Sequence, residues 1–135
     1  MSPELETVLR LLLAVTMGAL IGFERQHAGK PAGLRTHVLV CIGAALFTIA
    51  SIYGFGEGAD PARVAAGIVA GIGFLGAGAI IRTPEGILVG LTTASSIWAV
   101  AAIGLTAGAG LYILAPVATL VVLIVLRLPK RIGGE

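Results

Sequence analysis

The chain has 135 residues, of which 57% are hydrophobic and only 12% charged, and its mean hydropathy is +1.03. Soluble domains carry about a quarter charged residues, so a water-soluble globule is excluded, and a formal charge of +2 selects neither nucleic acid nor an acidic partner. The solvent that fits is a lipid bilayer, in which a spanning helix needs roughly 20 apolar residues.

Apolar stretches at Leu5–Phe23, Thr36–Tyr53, Val64–Ile81, Ile87–Leu105 and Gly108–Leu126 predict an all-α polytopic membrane protein forming one domain over residues 1–135. The first stretch is led by Glu4 and Glu6, whereas a cleaved signal opens with basic residues, so it reads as a retained span. Arg10 lies inside it. At that depth an ionisable group faces a partner or cavity, or it snorkels to the nearby interface; the sequence leaves both open. Glu24 and Arg25 follow "GALIGF" at the other end. Arg25 serves as a topology anchor. Glu24 adds little to topology and calls for a basic partner, either Arg35 or Arg82.

In the connecting loop "RQHAGKPAGLRTH", Pro31 and Gly33 break any helix, and Thr36 is a candidate cap for the second span. His27 and His37 lie in this region without a Cys or carboxylate cluster, so no metal site is expected. Cys41 is the single cysteine and falls in the second span, which rules out an intrachain disulfide.

The third span contains "GIGFLGAG", in which Gly71, Gly73 and Gly76 match the spacing G-x-G-x-x-G. A nucleotide loop needs a strand before it and a soluble helix after it, and here the segment is continuously apolar. Small residues let membrane helices approach closely. At about 100° per residue, Gly67, Gly71 and Gly78 share a face, with Ala66, Ala70, Gly73 and Ala77 as an adjoining stripe and Gly76 on another side. This predicts the third span at the centre of the bundle.

In the fourth span, "GLTTASSIW" places Thr92, Ser95 and Ser96 on one face. These hydroxyls either bond back to the preceding turn or line a path for a substrate or ion. Trp98 is too deep for an interfacial belt and is expected to pack inside the bundle. Pro116 in the fifth span is expected to bend it and to offer a contact for a C2 homodimer.

Arg25, Lys30, Arg35, Arg82, Arg127, Lys130 and Arg131 fall on one side of a five-span chain, against Arg63 alone on the other. The positive-inside rule then puts the N-terminus outside and the C-terminus inside. Spread along the membrane edge, these charges do not form a nucleic-acid surface. The segment Arg25–Leu46 also overlays Arg82–Ile103 without a gap, matching Arg25/Arg82, Gly29/Gly86, Gly33/Gly90, Leu34/Leu91 and Thr36/Thr93. Both copies run outward, so the repeat is parallel, and it pairs span one with two and three with four. Catalytic triads, metal clusters and paired inward carboxylates are missing from the pattern, so neither an enzyme nor a cofactor is expected.

The blocks "GFERQHAGKPAGLRTHVLVCIGAALF", "RVAAGIVAGIGFLGAGAIIR" and "GLTTASSIWAVAAIG" resemble successive blocks of the MgtC/SapB family, over residues 5–126. The resemblance implies a multi-pass protein of the bacterial inner membrane. It also implies links to growth under magnesium limitation, to survival of pathogens in macrophages and, in one branch, to action on the membrane part of ATP synthase. The family is not regarded as transporting magnesium itself. Its pattern falls on Glu24, Arg25, Lys30, Gly33, Arg35, Thr36, Gly71, Gly73, Gly76, Gly78 and the "GLTTA" from Gly90, and it supplies no catalytic residues. The virulence-linked branch continues into a cytoplasmic domain, whereas this sequence stops at Glu135; it reads as a short SapB-like form or a truncated chain. Two functions follow. One is a non-enzymatic regulator or adaptor of other membrane proteins. The alternative is a transporter or channel for an ion or small solute, built on Arg10, Glu24, Arg25, Arg35, Arg82, Thr92, Ser95 and Ser96.

Overall fold

A computed structural model describes residues 1–129. The helices are α1 (Pro3–His27), α2 (Leu34–Tyr53), α3 (Pro61–Ala79), α4 (Leu91–Gly108) and α5 (Leu114–Leu126), with a two-stranded hairpin, β1 (Ile81–Arg82) and β2 (Leu88–Val89), between α3 and α4. Among the described residues α1 to α4 are long and apolar enough to cross a membrane, and α5 is a shorter apolar helix. The residues flanking α5 reach both ends of α1. The Tyr112 hydroxyl donates to the Glu6 carbonyl at 3.4 Å, and Arg127 lies 3.8 Å from the Glu24 carboxylate. The chain is an all-α, multi-pass membrane protein.

Local chemistry sets the helix boundaries. Ser2 accepts from the Leu5 N–H at 3.2 Å and Asp60 from the Ala62 N–H at 3.0 Å, each followed by a proline that suits the first helical turn. The capping role expected of Thr36 belongs instead to Gln26, whose Oε1 accepts from the Leu34 N–H at 3.1 Å. The fourth span begins at Leu91 rather than Ile87, because Pro84 and Gly86 (φ 84°) close the hairpin. Pro116 does not bend a helix. It sits in the first turn of α5, where its missing N–H would have had no helical partner anyway.

The core lies between α1, α2 and α4, and glycine builds it. A Cβ on Gly18 would stand 2.8 Å from Cys41 Cβ, and one on Gly22 would stand 2.8 Å from Leu34 Cα. From the other side, a Cβ on Gly104 would collide with the Cys41 carbonyl, and one on Gly108 would lie 2.7 Å from the Ala45 carbonyl oxygen. Gly18-x-x-x-Gly22 and Gly104-x-x-x-Gly108 therefore clamp α2 between them. In lipid, where burial gives no hydrophobic drive, such contact of backbones carries the association.

The third span is not at the centre. Only 11% of its apolar window is buried, against 50% for α4. A Cβ on Gly67, Gly71, Gly73 or Gly78 would meet nothing within 4 Å, and only Gly76 is buried, with Ala94 of α4 at 3.7 Å. The helical arithmetic grouped these glycines correctly, but the face they form is not packed within this chain. Trp98 also departs from expectation: it is 56% exposed, on the outward side of α4, because Ile97, Val100 and Ala101 occupy the inward side.

The repeat has structural landmarks. Gly29 and Gly86 both adopt positive φ, 74° and 84°, a region that L side chains disfavour. Gly33 and Gly90 both immediately precede a helix, starting at Leu34 and Leu91. The copies diverge at Arg25, buried in α1, and Arg82, exposed in the hairpin.

Lys130 and Arg131, part of the charge count, lie outside the described residues. Orientation is open to direct measurement. On intact cells, in a Cys41→Ala background, an impermeant thiol reagent is expected to label Glu57→Cys in the α2–α3 loop and to spare Glu85→Cys in the hairpin turn. The reverse pattern would invert the positive-inside assignment.

Candidate functional site

Buried polar side chains gather at the two ends of the core. At one end Arg10 is buried and paired, which settles its two readings against snorkelling. Its Nη1 donates to the Gly108 carbonyl at 2.9 Å and its Nη2 to Glu6 at 3.0 Å, and its guanidinium lies 5.3 Å from the Tyr53 ring centroid. One planar fork thus ties α1 to the ends of α2 and α4. An ammonium cannot reproduce that geometry. Arg10→Lys is therefore expected to destabilise by about 1.5–3 kcal/mol, the range for charged hydrogen bonds, as read by thermal unfolding in detergent. A wild-type melt would contradict the tether.

At the other end Glu24 is buried, as expected, but its partner is neither Arg35 nor Arg82. The Arg25 Nε donates to Glu24 Oε1 at 2.8 Å and the Arg25 Nη2 to Oε2 at 3.2 Å, with exposed Arg127 at 3.8 Å. Arg35 is exposed. Arg82 is also exposed, and its Nη1 donates to the Gly86 carbonyl at 3.3 Å. The adjacent residue supplied the counter-charge, because Arg25 points into the core and folds back on Glu24. Arg25 Nη1 is buried without a hydrogen-bond partner.

The hydroxyl face of α4 is one residue away from its expected place. Ser95 is exposed and bonds back to the Leu91 carbonyl at 2.8 Å, and Thr92 is half-buried. Thr93 and Ser96 are the buried pair. Ser96 meets a residue that sequence reasoning set aside, His37, which is 0% exposed. His37 Nδ1 lies 2.8 Å from the Gly33 carbonyl and Nε2 lies 2.8 Å from Ser96 Oγ. Its role is a hydrogen-bonded bridge between α2 and α4. Its place one turn into an apolar span, facing a hydroxyl-bearing span, was the available signal. Among the described residues no group of three or more His, Cys, Asp or Glu side chains is placed to hold a metal ion.

The MgtC family model matches residues 11–134. The chain belongs to the MgtC family. It is 49% identical over 129 residues to YhiD of Escherichia coli strain K12, covering 90% of this chain and 60% of that protein. It is 49% identical over 124 residues to Protein MgtC of Brucella abortus strain 2308, covering 91% and 51%. It is 42% identical over 135 residues to Protein SrpB of Synechococcus elongatus, covering 91% and 74%. The chain thus spans about half to 60% of the length of YhiD and the Brucella MgtC. No solved structure matches it. It is an MgtC-type, multi-pass protein of the bacterial inner membrane.

Proposed function

We propose that this MgtC-family chain is a non-enzymatic regulator or adaptor that docks through α3 on a transmembrane helix of another membrane protein. The observation that carries the reading is an apolar groove of about 530 Å³ between α2 and α3, lined by Val40, Ala44, Phe47, Gly67, Gly71 and Leu75. Its glycines serve no contact within the chain, and lipid does not require them. A partner helix does, because it gains by close backbone approach. The family resemblance supplies the setting: low magnesium, survival inside host cells, and the membrane part of ATP synthase as the partner.

The transporter reading has one support, the name of the relative "Putative magnesium transporter YhiD". Against it, two of the buried charges offered as a path are engaged within the chain. Arg10 is held by Glu6 and Gly108, and Glu24 by Arg25. Of the hydroxyls offered as a path, Ser95 is exposed and bonds back to the Leu91 carbonyl of its own helix. A C2 homodimer is a separate expectation, with Val117, Leu120, Val121 and Ile124 on the outward face of α5 as its contact.

ATP-driven acidification of inverted membrane vesicles tests the reading. Adding the chain is expected to lower acidification, and Gly71→Leu, which fills the groove, is expected to restore it. Unchanged acidification, together with saturable magnesium uptake by liposomes holding the purified protein, would establish the transporter instead.

A further inference from the structure

The hydrogen-bond inventory around His37 is complete in only one protonation state. The Gly33 carbonyl can only accept, so Nδ1 at 2.8 Å carries a proton. Ser96 Oγ lies 2.8 Å from Nε2 and 2.8 Å from the Thr93 carbonyl. The hydroxyl has one proton to donate. With His37 neutral, that proton serves either Nε2 or the Thr93 carbonyl, and the other short contact is empty. With His37 doubly protonated, Nε2–H donates to Ser96 Oγ, the Ser96 hydroxyl donates to Thr93, and all three contacts are made.

We infer that His37 and Ser96 form a buried proton-binding site bridging α2 and α4, whose ligand is a single hydrogen ion. Uptake adds one N–H bond at Nε2 and turns the Ser96 hydroxyl from Nε2 toward Thr93; no other bond changes. The bound state replaces a neutral hydrogen bond by a charge-assisted one, roughly twice as strong, across the contact between α2 and α4. Protonation therefore adds a charge-assisted contact between α2 and α4, set against the cost of holding a charge at a buried position.

The surroundings are defined on every packed helix. On α1, at the same end of the core, are buried Glu24 and Arg25, paired with each other at 2.8 Å. On α2 itself are exposed Arg35 and, one turn further on, buried Cys41. The α4 and α5 segments carry no titratable side chain, and α3 carries only Arg63, in its first turn. The site lies in the first turns of α2, at the membrane end where the Gln26–Arg35 loop emerges. The inference is independent of what docks on α3.

Histidine-selective ¹⁵N NMR on the full chain in nanodiscs tests it. The chain has two histidines, so His27→Gln, an exposed position, leaves His37 as the sole imidazole. Between about pH 8 and pH 5, where imidazoles titrate, Nδ1 is expected to stay protonated while Nε2 passes from bare to protonated. Ser96→Ala is expected to lower the midpoint by about one pH unit, a tenfold loss of proton affinity. An Nε2 that stays bare across the range would overturn the inference, as would a midpoint unmoved by Ser96→Ala. If Ser96→Ala does not fold, the state of Nε2 in the chain with Ser96 decides alone.

Discussion

Gly104→Ala is expected to damage this protein far more than Gly71→Leu, although the second substitution adds much more volume. A Cβ at position 104 would collide with the Cys41 carbonyl oxygen, with the carbonyl carbon at 3.0 Å and Ala44 Cβ at 3.1 Å. The obstacle is helix backbone, so no rotamer change relieves it, and α2 and α4 must separate. Overpacking of a well-packed core costs about 1–3 kcal/mol, occasionally more, and the backbone contact puts this case at the upper end. Gly71 has open space where its Cβ would be, so Gly71→Leu is expected to melt within about 0.5 kcal/mol of wild type, as surface changes do. Thermal unfolding in mild detergent checks both. Equal loss in the two variants would mean that α3 is packed as tightly as α4.

The second large effect is expected at Arg25. Arg25→Ala leaves the buried Glu24 carboxylate, among the described residues, with Arg127, which is 75% exposed and 3.8 Å away. Stranding one member of a buried pair typically costs about 3–5 kcal/mol. Glu24→Gln strands Arg25 in turn and is expected to fall in the same range. Arg35→Ala and Arg82→Ala touch neither charge and are expected to be near neutral. Melts of the four variants separate the cases. If Arg25→Ala and Arg82→Ala unfold alike, the pair contributes nothing.

These two sites show what the sequence carried and what it did not. Helical class and the four long spans follow from hydropathy, because a bilayer demands long apolar segments, whereas the fifth, expected at Gly108–Leu126, is a shorter helix of 13 residues. The burial of Glu24 was legible because a carboxylate at a span end has little other use. Its partner was not legible. Adjacent residues on an ideal helix point about 100° apart, so Arg25 appeared turned away from Glu24, whereas a long side chain folds back. The glycines mislead in a different way. Gly67, Gly71, Gly104 and Gly108 offer the same small-xxx-small spacing, and spacing gives a face without saying what lies against it. The break at Arg82–Gly86 was legible from Arg82, Pro84, Glu85 and Gly86, whereas the hairpin was not, because Ile81 and the Ile87–Val89 run read as span ends. For Thr93 and Ser96, spacing grouped the hydroxyls without saying which face of α4 turns inward, and that face also carries Ile97 and Val100.

The central claim is that α1, α2 and α4 form the core while α3 lies outside it with its glycine face open. Labelling of the purified, reconstituted chain with a photoreactive lipid, mapped residue by residue by mass spectrometry, tests this most directly. Adducts are expected on α3 at Val69, Phe74 and Leu75 and also beside Gly67 and Gly71, with the Gly76 side against α4 protected. Adducts on α4 are expected only along the Trp98 side, with Ile97, Val100 and Ile103 protected. Protection of the Gly67–Gly71 face together with labelling all round α4 would contradict the claim.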